Sequence, residues 1–253
     1  MQNKKFKVVQ ITDCHLFKDD SLMLDVQTNK TFNHVIKRIK NEELHDADAI
    51  FLTGDLSQDE SKESYQRIVD SLSDTNKNIY WIPGNHDCFT TVSKVFMESK
   101  QFIYSRHLAT DYWDFIFLNT KLDGADYGFL SELELSDLRE SLDQCVCQSI
   151  AIVMHHQPAP IGTPMIDKCM LENVNSFWKI ISNYPVKMIM CGHVHGDYSV
   201  KYNEKITIEA SPSTCIQWVK GASLPKFENK IGYKTYHFEN NKYVSKAQIW
   251  DRS

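Results

Sequence analysis

Five short groups of carboxylate, amide and imidazole residues are spaced along the first 195 residues of this chain. Oxygen and nitrogen donors of this kind are typical ligands of Mn, Fe or Zn rather than of a sulfur-seeking ion. Such ions can activate water and stabilise the charge that develops as a phosphate ester is broken. In sequence order the groups are Asp13-Cys14-His15, Gly54-Asp55, Gly84-Asn85-His86-Asp87, His155-His156 and Gly192-His193-Val194-His195.

Two of these groups place their ligand-type residues two positions apart. In an extended backbone alternate side chains point the same way, so Asp13 and His15 would form one two-pronged ligand and His193 and His195 another. The residue between the members of each pair would then face the opposite side. The glycines in three of the groups allow a sharp turn or a close approach of the backbone to a ligand.

Taken together, the candidate metal ligands are too many for one ion that keeps an open coordination position. They suit two ions that share a bridging carboxylate, and two ions about 3.5–4 Å apart can clamp the attacking and leaving oxygens of a phosphate displacement. Alone, an Asp-x-His can be a cap or a surface pair, and a Gly-Asp can be a turn. The ordered set favours the metal interpretation, with Asp13, His15, Asp55, Asn85, one of His155 and His156, His193 and His195 as ligands.

Three cysteines, Cys14, Cys88 and Cys191, flank the groups and have two interpretations. They could be ligands or redox sensors, or they could pack in the interior. The alternation that directs Asp13 and His15 to one side directs Cys14 into the sheet, which favours packing. The same expectation applies to Cys191, and less strongly to Cys88, which follows a turn.

The groups follow short apolar runs that predict strands buried on both faces. These runs cover residues 6–12, 49–53, 79–83, 115–119, 149–154 and 186–191. Amphipathic patterns between them predict helices, and Ser131 with Glu134 has the pattern of a capping box at a helix start. The predicted buried stripes are Phe32, Val35, Ile36 and Ile39; Tyr65, Ile68, Val69 and Leu72; Leu135, Leu138 and Leu142; and Phe177, Trp178, Ile180 and Ile181.

Alternating strands and helices predict an α/β fold, a two-sheet sandwich flanked by helices. Residues 206–210, 234–238 and 243–250 predict strands joined by polar turns. We expect residues 206–253 to form mostly a second, more antiparallel sheet and the rim of a pocket, within a single domain spanning residues 1–253. Because ligands bind beyond the carboxyl ends of the strands in open α/β sheets, the polar groups should converge on one edge.

Composition argues against several classes of partner. The 253 residues carry a net charge of −5 with scattered Lys and Arg, which disfavours nucleic acid and anionic membranes. Neither a transmembrane helix nor a signal peptide is expected. Seven cysteines, with no secretory signal, favour a reducing and hence cytoplasmic location. Oligomeric state stays open, and a dimer is among the alternatives.

The ordered set resembles the calcineurin-like metallophosphoesterases over residues 6–195. Longer strings are similar to the bacterial class III 3',5'-cyclic-AMP phosphodiesterases, and they extend the resemblance to nearly the whole chain. Those strings are residues 10–13 (QITD), 15–17 (HLF), 52–59 (LTGDLSQD), 81–87 (WIPGNHD), 211–217 (SPSTCIQ) and 230–233 (KIGY) followed by Tyr236. The resemblance implies the calcineurin-like metallophosphoesterase fold.

The resemblance also implies a division of ligands between two ions. Asp13, His15, Asp55 and His195 would hold one ion, and Asp55, Asn85, His155 and His193 the other. A hydroxide bridging the metals would attack phosphorus, with His86 as general acid at the leaving oxygen and Asp87 orienting its ring. Substrate contacts would come from His15, Asp55, Asn85, His86 and His195. The position directly after the predicted strand favours His155 as the ligand, and His156 remains the alternative.

The implied activity is a metal-dependent phosphodiesterase that converts 3',5'-cyclic AMP, or a related cyclic nucleotide, to the 5'-monophosphate. Its cofactors would be two divalent or trivalent transition-metal ions, Fe, Mn or both, with Zn as a further candidate. Another activity of the same chemistry is the first alternative: a phosphomonoesterase, a glycerophosphodiesterase or a nuclease. A scaffold without catalysis is the second, although such a scaffold would be expected to lose ligands or the acid.

Overall fold

In the computed structural model, which describes residues 5–252, the apolar runs form strands and the amphipathic stripes form helices; residues 1–4 and 253 of the predicted domain lie outside the described residues. The first strands are β1 (Lys5–Ile11), β2 (Ala49–Thr53), β3 (Asn78–Ile82), β4 (Phe102–Ile103), β5 (His107–Ala109), β6 (Asp114–Phe117) and β7 (Ile150–Met154). They are followed by β8 (Val186–Cys191), β9 (Tyr198–Lys201), β10 (Thr207–Ala210), β11 (Gln217–Trp218), β12 (Phe227–Glu228), β13 (Lys230–Glu239) and β14 (Lys242–Asp251).

The helices bury most of the predicted stripes, and Val69 and Trp178 are half-buried. They are α1 (Thr28–Glu42), α2 (Lys62–Leu72), α3 (Phe89–Phe96), α4 (Glu132–Gln144), α5 (Pro164–Asp167) and α6 (Val174–Ile181), with a 3₁₀ turn at Ser73–Thr75. Ser131 caps α4 by accepting a hydrogen bond from the backbone N–H of Glu134 at 3.1 Å. The Glu134 carboxylate is paired with Arg106 instead of completing the capping box. Within residues 5–252, no helix combines the length and apolarity needed to cross a membrane.

The strands build two large sheets, in agreement with the predicted two-sheet α/β sandwich. One sheet has the order β14-β13-β1-β2-β3-β4 and the other β5-β6-β7-β8-β10-β9. In the first sheet β1, β2, β3 and β4 run parallel, and in the second β6, β7, β8 and β10 run parallel. Each sheet therefore has a set of aligned carboxyl strand ends.

The prediction that residues 206–253 form mostly the second sheet is wrong. The long strand β13 pairs antiparallel with β1, with Lys5 opposite Glu239, and β14 pairs with β13. Of the strands in this part of the chain, β10 is the one that joins the second sheet, through β8. Local patterning gives strand type but not strand partner, because a strand pairs wherever its faces and edge are best buried.

Apolar side chains fill three layers. Inward-facing residues of both sheets, including Phe51, Phe115 and Met190, form the cluster between the sheets. The opposite faces of the sheets pack against helices, with Phe32 of α1 on the first sheet and Leu138 of α4 on the second. The packed strands give the loops at their carboxyl ends a rigid base.

Candidate metal centre

The five polar groups follow β1, β2, β3, β7 and β8, and their side chains meet where these strands end. Sets of three donor atoms lie within 4.8 Å of one another and connect the groups. The sets in this region are His15, His195 and Cys215; His155, His156 and His193; His15, Asp55 and His86; and Asp13, Asp55 and His155. The strand ends of two different sheets therefore supply one cluster, as the strand-end argument predicts.

One half of the cluster joins the first and last polar groups of the sequence. His195 Nε2 lies 3.3 Å from Asp13 Oδ1 and 3.1 Å from His15 Nε2. His15 Nε2 is also 3.7 Å from Asp55 Oδ2. Three side chains from two sheets thus direct nitrogen and oxygen lone pairs at a common point, which is the arrangement of a metal site.

Asp55 connects this half to the other. The carboxylate oxygen that lies near His15, Oδ2, is 3.3 Å from His155 Nε2. His155 Nε2 in turn lies 3.2 Å from Asn85 Oδ1. Asp55 therefore occupies the middle of the cluster, where a carboxylate could bridge two ions.

The two neighbouring histidines after β7 have different surroundings. His155 Nδ1 lies 2.7 Å from the carbonyl oxygen of Thr53, to which it can donate, leaving the Nε2 lone pair facing Asp55 and Asn85. A backbone acceptor of this kind fixes the tautomer and orientation of metal-binding histidines. His156 Nδ1 instead lies 2.8 Å from Thr120 Oγ1. The geometry therefore places His155 against Asp55 and Asn85, while His156 Nε2, which is buried without a hydrogen-bond partner, keeps His156 as the alternative ligand.

The backbone of the paired ligands is left-handed, and the prediction of an extended backbone is wrong. The φ angles are 53° at Asp13, 47° at His15, 65° at His193 and 43° at His195. Asp13 N–H donates to the Gly54 carbonyl at 2.9 Å, which ties this loop to the one that follows β2. Left-handed conformations cost non-glycine residues about 1–3 kcal/mol each and concentrate at functional sites.

The side-chain alternation survives this change of backbone. Cys14 is fully buried in the apolar cluster beside α1, and Val194 is fully buried in the cluster of the second sheet. Cys191 is also buried in the second cluster. These positions are what the packing interpretation of Cys14 and Cys191 predicts.

Close approach explains the glycine that precedes Asn85. A Cβ atom at Gly84 would lie 2.2 Å from Asp55 Oδ1 and 2.4 Å from the backbone nitrogen of Asp55. Any side chain there would displace the central carboxylate. The expectation that these glycines allow close approach is confirmed at this position.

The donors fit transition-metal ions. His193 Nε2 is buried without a hydrogen-bond partner, which is costly unless another group binds its lone pair. Burial lowers the pKa of His193 to about 3, so its imidazole is neutral and able to coordinate. Burial disfavours the ionised form of Asp55, but His155 and His15 hold the pKa of that carboxyl well below its ordinary range. Burial opposes protonation of His155, but Asp55 raises the pKa of that imidazole to about 9, so an ion bound there would displace a proton. Imidazole and carboxylate together are a donor set that Mn, Fe and Zn accept.

His86 and Asp87 separate in the structure. The Asp87 carboxylate is buried and accepts hydrogen bonds from the backbone N–H groups of Leu56, Ser57 and Gly84 at 2.8–3.2 Å, and from the Tyr65 hydroxyl at 3.2 Å. The prediction that Asp87 orients the His86 ring is therefore wrong. Its oxygens are occupied in joining the loops after β2 and β3.

The His86 ring lies beside a residue that sequence reasoning did not single out. Gln58 Nε2 is 3.3 Å from His86 Nδ1, and Gln58 Oε1 is 2.7 Å from His15 Nδ1. The sequence placed Gln58 in a family string but gave no reason to assign it a contact. Such a contact depends on how the loops meet.

Cys215 is a second residue missed in this way. Its Sγ lies 3.8 Å from His195 Nδ1 and 3.0 Å from Ser213 Oγ. The strand-end signal could not find it, because Cys215 belongs to a loop between β10 and β11. Its inclusion in the 211–217 string was the one available signal.

A cleft of about 400 Å³ opens over the cluster. His15, Asp55, Asn85, His86, His193 and His195 line its floor. Met23, Leu24, Met165, Ile166 and Trp218 give it an apolar wall, and Gln58, Asp126 and Cys169 complete the lining. None of these lining residues of the described chain is lysine or arginine.

A further group of metal-ligand types lies at the opposite end of the second sheet. It comprises His107, Asp114 and Cys145. His107 Nε2 lies 2.6 Å from Asp114 Oδ1, and Asp114 Oδ2 accepts from the backbone N–H groups of Val146 at 3.2 Å and Cys147 at 2.8 Å. Both carboxylate oxygens therefore have partners, which accounts for this group as a structural pair.

Known proteins resemble the chain in both sequence and fold. A family model described as calcineurin-like phosphoesterase matches residues 6–197. The chain is 34% identical over 221 residues to the 3',5'-cyclic adenosine monophosphate phosphodiesterase CpdA of Vibrio vulnificus, covering 86% of this chain and 80% of that protein. It is 35% identical over 215 residues to CpdA of Haemophilus influenzae, covering 84% and 77%. A dimetal phosphatase from Danio rerio shares the fold, with a TM-score of 0.64 at 11% identity, covering 95% and 98%.

Proposed function

The chain belongs to the calcineurin-like phosphoesterase family, and we propose that it hydrolyses 3',5'-cyclic AMP, or a related cyclic nucleotide, to the 5'-monophosphate. The observation that carries this proposal is a buried cluster of carboxylates and imidazoles on the floor of a cleft with an apolar wall. Relatives at 34% and 35% identity are named as cyclic-AMP phosphodiesterases, which supports the choice of substrate.

The metal centre is proposed to hold two ions, as calcineurin-like phosphoesterases do. We assign Asp13, His15, Asp55 and His195 to one ion and Asp55, Asn85, His155 and His193 to the other. When bound, the two ions stabilise the negative charge on the attacking and leaving oxygens of the phosphate displacement. Fe, Mn and Zn all accept these donors.

His86 is proposed as the group that protonates the leaving oxygen. Its backbone N–H donates to Asp55 Oδ1 at 2.9 Å, and its ring lines the cleft. The ring meets His15 edge-on with the centroids 4.9 Å apart, so it stands directly beside a proposed ligand. Because the departing 3' oxygen of a ribose is strongly basic, a proton donor placed here lowers the barrier.

Contacts to the phosphate are assigned to the residues on the floor of the cleft. His15, Asp55, Asn85, His86 and His195 all line it. Asp87 has no such contact in our assignment, because its carboxylate is occupied by the loops after β2 and β3. Asp87 therefore serves catalysis only by holding these loops.

Apart from the proposed metal ions, the charged side chains that line the cleft favour a diester over a monoester. No lysine or arginine is among the described residues that line it, and Asp126 adds a carboxylate to its rim. A cyclic nucleotide carries one negative charge on its phosphate, whereas a phosphate monoester carries close to two at neutral pH. The diester therefore meets less repulsion from Asp126 and depends less on a protein cation.

The apolar wall is proposed to hold the purine base. The Trp218 ring lies 5.6 Å from the His195 ring, between centroids, and so borders the proposed phosphate site. Base stacking on an aromatic side chain contributes about 1–3 kcal/mol. Met23 and Met165 add adaptable apolar surface to the same wall.

A panel of phosphate esters tests the substrate. Metal is removed from the protein with a chelator, and separate samples are reloaded with Mn, Fe or Zn. Each sample is assayed with 3',5'-cyclic AMP, 3',5'-cyclic GMP, bis(p-nitrophenyl) phosphate, p-nitrophenyl phosphate, a glycerophosphodiester and single-stranded DNA. We expect the highest kcat/KM on a cyclic nucleotide. A higher value on p-nitrophenyl phosphate, on the glycerophosphodiester or on DNA would replace the proposal by the corresponding activity.

Two tryptophan variants test where the base lies. Trp218→Ala should raise the KM for cyclic AMP about tenfold, because the base loses its stacking partner. Trp178→Ala is the matched control, since Trp178 stacks on Tyr202 with centroids 3.8 Å apart and does not line the cleft. Equal KM values in the two variants would place the base elsewhere.

The proposal includes a reducing location and a single domain. All seven cysteines are free, as expected of a chain kept in a reducing compartment such as the cytoplasm. The cluster between the sheets contains Val8 and Tyr236 of one sheet and Phe115 and Met188 of the other, which supports treating the chain as one unit. Limited proteolysis that released two stable halves would contradict the single domain.

A further inference from the structure

One amide side chain is buried in the apolar layer between the two sheets. Gln10 is fully buried, and it lies two residues after Val8, on the face of β1 that meets the other sheet. Its neighbours Val9 and Ile11 face the helices. A buried amide needs partners for its two N–H groups and its oxygen, or it destabilises the fold.

Gln10 has those partners on three other strands. Its Nε2 donates to Thr53 Oγ1 at 2.8 Å and to the carbonyl oxygen of Cys191 at 3.0 Å. Its Oε1 accepts from the Tyr236 hydroxyl at 2.7 Å. The contacts to Thr53 and Tyr236 remain within the first sheet, whereas the contact to Cys191 crosses to the second.

Each strand end that Gln10 contacts leads directly into a group of proposed ligands. Thr53 ends β2 and precedes Gly54 and Asp55, and Cys191 ends β8 and precedes Gly192 and His193. On its own strand, Gln10 lies three residues before Asp13. The carbonyl oxygen of Thr53 also lies 2.7 Å from His155 Nδ1, so β7 is connected to the same point.

The orientation of the amide is determined by its partners. The Cys191 carbonyl can only accept, so it requires the NH₂ side of Gln10. Tyr236 stays protonated, since burial raises the pKa of its hydroxyl well above the usual value, and it supplies the donor that Oε1 needs. A glutamate or methionine in this position could not make the same bonds.

We propose that Gln10 is a positioning residue that sets the spacing between the two halves of the metal centre, and that Tyr236 holds its amide in place. This inference rests on the proposed dinuclear site. Asp13 follows β1, Asp55 follows β2 and His193 follows β8, and Gln10 is bonded to or lies on all three strands. A change in their relative positions would alter both ion retention and catalysis.

Three variants test the proposal: Gln10→Met, which keeps the length but removes the hydrogen bonds; Tyr236→Phe, which removes one bond; and the double variant. The first readout is ion retention against a competing chelator, without substrate. We expect Gln10→Met to weaken retention about 10–100-fold, as is usual for residues that support metal ligands. Tyr236→Phe should have a smaller effect. The double variant should match Gln10→Met, because the hydroxyl acts only through the amide.

The second readout is kinetics at saturating Mn. A shift in ligand spacing should lower kcat while KM stays within about twofold, since the wall of the cleft is not touched. Leu138→Ala is the control, because Leu138 is a buried residue of α4 outside these contacts and its loss lowers thermal stability without touching Gln10. If Leu138→Ala weakens ion retention as much as Gln10→Met does, the effect is general destabilisation and the proposal is overturned.

The outcomes separate this inference from the proposed function. Wild-type protein that retains two ions but prefers another ester leaves the role of Gln10 intact and replaces only the substrate. If the enzyme hydrolyses cyclic AMP and Gln10→Met has wild-type ion retention and wild-type kcat, the positioning role of Gln10 is wrong and the proposed function is unaffected.

Discussion

Two regions at opposite ends of the second sheet contain the same ligand types in different states. One is the metal-centre region at the carboxyl ends of the strands, where His193 Nε2 is buried without a hydrogen-bond partner. At the other end lies a group that we call the His107–Asp114 pair, in which both carboxylate oxygens of Asp114 are hydrogen-bonded. The first region has donors left over for a cation, whereas the second is complete without one.

The two regions also differ in the φ angles of their backbones. Asp13, His15, Asp55, His193 and His195 all have positive φ, between 43° and 65°. Among residues 5–252, the positive φ angles include none at His107, Asp114 or Cys145. Because each such conformation at a non-glycine residue costs free energy, its occurrence at five proposed ligands favours a functional requirement over stability as the cause. Residue types alone would have placed both regions in the same class.

Removal of the central carboxylate, Asp55, should have the largest effect on ion content and activity. Asp55→Ala should release both ions and lower kcat/KM for cyclic AMP by at least about a thousandfold, since metal stabilisation of charge is worth several kcal/mol. Elemental analysis and turnover measure the two effects. Asp114→Ala is the matched control and should leave ion content and kcat within about twofold. If Asp55→Ala retained both ions while Asp13→Ala did comparable damage, the bridging assignment would be wrong.

The next effect concerns His86, which lines the cleft without being a proposed ligand. His86→Ala should keep both ions and slow cyclic-AMP hydrolysis by about 10²–10⁴, the usual contribution of general-acid assistance. Turnover of bis(p-nitrophenyl) phosphate should fall much less, because its leaving group needs little protonation. Equal losses on both substrates, together with a missing ion, would make His86 a ligand.

A substitution in the His107–Asp114 pair should lower the stability of the protein and leave catalysis unchanged. Asp114→Ala leaves the backbone N–H groups of Val146 and Cys147 without their acceptor and removes the partner of His107. Asp114 itself is fully buried, but Val146 is 85% exposed and Cys147 is half-buried, so water can replace part of what is lost and the free energy of unfolding should fall by about 1–3 kcal/mol. Chemical denaturation measures this fall. An unchanged midpoint would mean that the pair is not structural, and a lost metal ion would make it a site.

The smallest effect is on thiol reactivity. Burial, reinforced by the charge of Asp114, raises the pKa of Cys145 to about 12 and that of Cys147 to about 11. Because the thiolate is the reactive form, alkylation by iodoacetamide at pH 8 should be at least about tenfold slower than for a model cysteine peptide. It should accelerate with rising pH towards these pKa values. Mass spectrometry of the two cysteines follows the reaction.

A variant sharpens the thiol measurement. Asp114→Asn removes the negative charge, so the pKa of both thiols should fall and alkylation at pH 8 should become faster. If Cys145 and Cys147 of the unmodified protein react as fast as the peptide, their thiols are ionised beside Asp114. That much negative charge would require a cation, which contradicts the interpretation of the His107–Asp114 pair as complete without one.

Much of the fold could be predicted because buried strands carry a local signal. The predicted runs at 49–53 and 186–191 coincide with β2 and β8. The short strands β4 and β5 were missed, since two or three residues carry no periodicity and their strand character comes from pairing. The partner of β13 was also not predictable, because β1 and β13 meet across most of the chain length.

At the metal centre, the sequence predicted which residues come together but not how their loops are built. Ligand types and their order after strands placed Asp13, Asp55 and His193 at one edge. The left-handed backbone, the contact of Gln58 with His15 and the use of Asp87 as a loop anchor depend on hydrogen bonds between loops distant in sequence. No local pattern encodes such bonds, so the ligand roles themselves stay predictions.

The pairing of β1 with β13 has a consequence for the order of folding. Lys5 pairs with Glu239, so the strand that leads to Asp13 finds this antiparallel neighbour only after more than two hundred further residues have been added. Contacts of such sequence separation form late, because the loop they close is entropically costly. Tyr236, the donor to Gln10, lies on that late strand. On the ribosome, a nascent chain would therefore expose Asp13, His15 and Asp55 before β13 could lock them in place, so the proposed ion capture should tighten only once β13 has been added.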